Sequence, residues 1–127
     1  MDIQKQIVHW QNSATEDLAV AKELIAQKRI RHGLFFGHLA LEKILKAHVC
    51  TTTNDIAPPL HNLIRLAELA ELSLSADLRN LLAEVTPFNI EARYPDLLVP
   101  APTYDKAQEY IKRIEEAFQW MNSKLAP

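Results

Sequence analysis

Apolar residues recur along this chain in steps of three and four, the spacing that draws one stripe down a helix. No stretch sustains the two-residue alternation of a half-buried strand. The first stripe is the cleanest: Ile3, Ile7, Trp10, Ala14, Leu18, Ala21 and Ile25 predict one long helix. A second helix is predicted from about Arg31 to Cys50, carrying Leu34, Phe35, Leu39, Leu41, Leu45 and Val49. TTTNDIAPP, Thr51 to Pro59, reads as a loop, because β-branched and turn residues run into paired prolines.

A shorter helix is expected between His61 and Leu72, with Leu63, Ile64, Leu66 and Ala67 inward. Ser73 or Ser75 is placed to cap the next, which carries Leu78, Leu81, Leu82 and Val85. Pro87 should kink or end it, since proline lacks the N–H donor and its ring clashes with the preceding turn. PDLLVPAP, Pro95 to Pro102, reads as an extended crossing. Thr103 then caps a last helix in which Ala107, Ile111, Ile114, Phe118, Met121 and Leu125 line one side. The fold class is therefore all-α: an antiparallel up-and-down bundle of about five helices, like a four-helix bundle in its packing. The short loop near Lys28 to Arg31 requires the first two helices to pack antiparallel.

Length changes little in this picture. A chain of 127 residues is expected to form one domain, residues 1–127, and it shows no repeat, low-complexity tract or linker. A core of this size folds without disulfides or structural metal. The single Cys50 fits that and points to a reducing cytoplasm. The opening MDIQKQIVHWQNSATED is too polar for a signal peptide, and no apolar run approaches the roughly 20 residues of a membrane span. Net charge is −2 with both signs interspersed, which argues against a general nucleic-acid binder; KRIRH, Lys28 to His32, is the one dense basic stretch. With two glycines in the chain there is neither a P-loop nor a GxGxxG fingerprint, and no cofactor is expected.

Two stretches carry candidate chemistry. In HLALEKILKAHV, His38, Glu42 and Lys46 fall at i, i+4 and i+8 and so share one helical face. Glu42 ahead of Lys46 is the favourable order for an ion pair, worth about 0.2–0.5 kcal/mol when exposed. The face is either solvated or partly buried between helices or subunits; in the second case each charge must be paired, and the pair fixes register. His38 and Glu42 could supply two ligands to zinc, but the third would have to come from His61 or His48 and no spacing demands it, so no metal is expected. Cys50 lies near His48 in sequence but on another side of the helix, so a thiol nucleophile is not indicated.

In FNIEARYPDLL, Phe88 to Leu98, Arg93, Tyr94 and Asp96 cluster around Pro95, which biases Tyr94 away from helix. An exposed Arg beside a Tyr suits an anion and a base, guanidinium on phosphate and ring on the nucleobase. The plainer alternative pairs Arg93 with Glu42 or Glu91 and packs Tyr94 under the loop.

Taken in order, SATEDLAVAKELI, EKILKA, a His-x-Leu start at His61 and Leu63, and ARYPD resemble the HEPN domain family over nearly the whole chain. The resemblance implies an antiparallel bundle, usually a homodimer, associated with nucleotide or RNA. It also implies a minimal nucleotidyltransferase as partner in a toxin–antitoxin-like pair. Ribonuclease members carry an Arg, four to six residues and a His near the helix before the last. Arg there holds phosphate and His acts as acid or base. No histidine follows Arg93 in this chain, so an enzyme is not the first expectation; Arg31 and His38, with six residues between them, make a displaced formal match.

The leading expectation is thus a non-catalytic nucleotide- or nucleic-acid-binding module. Arg93 would take phosphate and Tyr94 would stack, with Asp96 and Asn89 alongside. Glu42 and Lys46 would orient the ligand or form the interface. A metal-independent ribonuclease using Arg31 and His38, and a purely structural dimerisation protein, are the alternatives.

Overall fold

The computed structural model describes residues 2–89 and 100–125. Among these residues there are five α-helices and no strand: α1 (Ile3–Ala26), α2 (Ile30–Thr53), α3 (Leu63–Leu69), α4 (Ala76–Val85) and α5 (Tyr104–Lys124). Arg93, Tyr94 and Asp96 lie outside the described residues, as does the crossing up to residue 99.

Local chemistry sets the ends. Asp2, Asn62, Ser75 and Thr103 each accept a hydrogen bond from the backbone N–H three residues on, capping α1, α3, α4 and α5. Ser75, not Ser73, is therefore the cap of α4. α1 stops where Lys28 takes a left-handed φ of 63° and the Arg29 N–H turns back to the Leu24 carbonyl. That 6→1 closure usually favours glycine at the left-handed position. It leaves a tight reversal, and α2 runs back along α1 in the most extensive helix–helix contact of the fold.

α2 runs past the expected Cys50 to Thr53, and Thr51 and Thr53 donate their hydroxyls to the Ala47 and Val49 carbonyls, 3.0 and 2.8 Å away. Asn54, at a left-handed φ of 52°, ends the run. α3 is shorter than expected: Asn62 caps it at one end, and Glu71, at φ 55°, closes it at the other.

α2 is the axis of the bundle and packs against α1, α3 and α5. Leu34, Leu41, Ile44, Leu45, Ala47, Val49 and Cys50 are buried on it, meeting Ala14, Leu18 and Ile25 of α1, Leu63 and Leu66 of α3, and Ile114 and Met121 of α5 in one core. A helix covered on several sides buries polar side chains too, and His38, Glu42, Lys46 and His48 are all inside. Gly33 and Gly37 sit on α2 where its neighbours come closest; a Cβ on Gly33 would collide with Ile25, and one on Gly37 would meet Ile114 Cδ1 at 3.0 Å. Cys50 is buried, and loss of solvent pushes its thiol above the ordinary value. No helix among the described residues is long and apolar enough to cross a membrane.

Candidate functional site

The polar face of α2 closes on itself. Glu42 is 5% exposed in its side chain, and its two oxygens are divided between partners. Oε2 accepts from Lys46 Nζ at 3.2 Å, one turn on. Oε1 accepts from His61 Nδ1 at 2.9 Å, across the loop that joins α2 to α3. His38, fully buried, donates its Nε2–H to the His61 backbone carbonyl at 3.0 Å, and its Nδ1 lies 3.8 Å from the same Glu42 oxygen. α2 thus holds residue 61 twice, once by side chain and once by backbone. The Lys46 ammonium also sits 5.3 Å from the centroid of the Trp10 ring on α1, a cation–π contact sheltered from water.

The i, i+4, i+8 spacing therefore places His38, Glu42 and Lys46 together, in the buried arrangement rather than the solvated one. A buried ion pair must be fully hydrogen-bonded to persist, and this one is joined by a third group, His61, half-exposed at 52%. Of the histidine positions, spacing singles out His38; the surface-facing member is instead His61. No local period links residue 42 to residue 61, and the His-x-Leu start of α3 is the one sequence signal that marks it. Trp10, read from its spacing as core, serves as the lid of Lys46. Lys43, one position past Glu42, stays outside this cluster and bonds Asp17 and Ser13 of α1 at 2.7 and 2.8 Å.

Asn89, the remaining candidate residue within the described chain, is buried just after α4, and its backbone N–H reaches the Thr86 carbonyl at 3.3 Å. Arg31 lies on the first turn of α2. Among the described residues no group of three or more His, Cys, Asp or Glu is arranged to hold a metal ion. A groove of about 340 Å³ between α4 and α5, lined by Ser75, Leu78, Leu81, Arg113 and Trp120, contains none of the candidate residues.

A small all-α bundle whose central helix carries a buried Glu–Lys pair, tied to a His at the start of the third helix, is the class that this geometry defines. The chain belongs to the HEPN domain family, whose profile matches residues 7–124. Its fold is similar to that of TT1696 from Thermus thermophilus, with a TM-score of 0.79 at 21% sequence identity, covering 94% of this chain and 98% of that one. No match was found among curated proteins.

Proposed function

We propose that this chain is a cytoplasmic, homodimeric HEPN module that binds a nucleotide or nucleic acid and acts beside a minimal nucleotidyltransferase in a toxin–antitoxin-like pair, without cleaving RNA itself. The observation that carries the reading is the Glu42–Lys46–His61 cluster, two buried charges leading to a half-exposed imidazole. Burying an ion pair gains little stability over apolar packing, so such a cluster marks a place where charge has a use. Arg93 supplies phosphate contact and Tyr94 stacking in this reading, with Asp96 and Asn89 beside them. Calorimetric titration of AMP, ATP and a short RNA into the wild type and Arg93→Ala tests it. Binding that Arg93→Ala abolishes without changing the oligomer mass supports the module, and no binding by the wild type sinks it.

The placement of His38 weighs against the ribonuclease alternative. A general acid or base must reach the scissile group, whereas His38 is fully buried and donates Nε2–H to the His61 carbonyl. That alternative requires metal-independent RNA cleavage lost in both Arg31→Ala and His38→Ala. The structural reading assigns the polar residues to dimer pairing alone. It requires that Arg93→Ala alter oligomer mass or stability while the wild type binds no nucleotide.

A further inference from the structure

Glu42 and Lys46 cancel each other, one negative and one positive charge at 3.2 Å in a site closed to water. Once His61 carries its second proton, the cluster therefore holds one positive charge in excess. That charge lies on the ring nearest solvent. The ring is not free to turn: Nδ1 is fixed on Glu42 at 2.9 Å, and the backbone of residue 61 is fixed by His38 at 3.0 Å. Nε2 has no hydrogen-bond partner among the described residues, and the side chain is 52% exposed.

A pre-oriented N–H donor with uncompensated positive charge is the chemistry that a phosphate oxygen takes. Charge-assisted bonds of this kind are short and strong, and a ring already held in place loses little freedom on binding. The charged or titratable groups of its cluster are Glu42, Lys46 and His38 of α2; Trp10 is the neutral contribution of α1.

We propose that His61 is a phosphate-binding residue, with Glu42 as its positioning residue, and that Nε2–H takes a non-bridging oxygen of a phosphomonoester or phosphodiester. The assignment rests on the nucleotide-binding reading above and gives that ligand a docking point inside the described fold. The full chain is titrated with AMP, inorganic phosphate and a short RNA, while the His61 ring nitrogens are followed by long-range proton–nitrogen correlation NMR.

AMP is expected to shift Nε2 and to bind at least about tenfold more weakly to His61→Gln. Glu42→Gln, whose amide oxygen still accepts Nδ1–H and keeps the ring oriented, should stay closer to the wild type than His61→Gln does.

Unchanged AMP affinity in His61→Gln, with the wild type binding, overturns the assignment and leaves the nucleotide reading standing. Inorganic phosphate that depends on His61 as strongly as AMP does supports the phosphate site and overturns the nucleotide reading. No binding of any of the three overturns both. Should His61→Gln fail to fold, the wild-type spectrum decides, because an Nε2 resonance unmoved by bound AMP overturns the assignment.

Discussion

His48 on α2 donates its Nε2–H to the Met121 carbonyl of α5 at 2.7 Å, tying the axis of the bundle to its last helix. Burial pushes this imidazole below its ordinary value of 6.5, and the bond to Met121 only partly opposes that. The folded state therefore binds a proton here less readily than the unfolded chain. Stability from His48 is fully present above about pH 6.5 and is lost as pH falls from there toward the lower folded value. Urea midpoints measured from pH 8 down to 5 should decline more in the wild type than in His48→Gln. Equal slopes would show that His48 does not titrate with unfolding.

Glu42 and Lys46 are worth more as a pair than either is alone. Glu42→Ala leaves the Lys46 ammonium buried without its carboxylate, and His61 loses its anchor, so a loss of about 3–5 kcal/mol is expected. Replacing both by leucine and methionine should restore most of it, because apolar packing of similar volume often matches a buried pair. Chemical denaturation of the two variants checks this, and equal destabilisation of single and double variants contradicts it.

Gly33→Ala puts two effects against each other. Alanine favours a helix over glycine by about 1 kcal/mol, yet the new Cβ collides with Ile25 on the antiparallel partner. Overpacking of a tight core costs about 1–3 kcal/mol, so a net loss is expected, and Ile25→Ala in the same chain should relieve the clash. A gain in thermal midpoint for Gly33→Ala alone would mean that α1 and α2 separate more easily than their packing implies.

Thr103 starts α5 by accepting from the Lys106 N–H at 3.2 Å. Thr103→Ala should cost about 1 kcal/mol, while Thr103→Ser, which keeps the acceptor, should cost much less. Thermal melts of the two side by side test the cap.

The two peripheral long helices were legible because each buries one stripe: Ala14, Leu18, Ala21 and Ile25 in α1, Ala107, Ile114, Phe118 and Met121 in α5. Caps at Ser75 and Thr103 were legible for an equally local reason, a hydroxyl three residues before an N–H that needs an acceptor. α2 resisted this reading. Phe35 and Leu39 belong to its apolar pattern yet remain half-buried, whereas His38, Glu42, Lys46 and His48 are inside. Periodicity assigns polar residues to water, and that assignment fails for a helix surrounded by three others. Glu42 with Lys46 could be found because helical neighbours repeat every four residues. Glu42 with His61 could not, since a loop of unknown course lies between them. Arg93, Tyr94 and Asp96 fall outside the described residues.

The lone thiol at Cys50 gives the bundle a clock. Shut inside α2 and held largely in its unreactive protonated form, it offers a thiol-directed dye nothing to attack while the helices stay closed. Each labelling event then records an opening of that part of the axis, and under slow chemistry the rate measures the population of the open state. Adding a ligand that holds α2 to the start of α3 should slow the clock, with no engineered probe required.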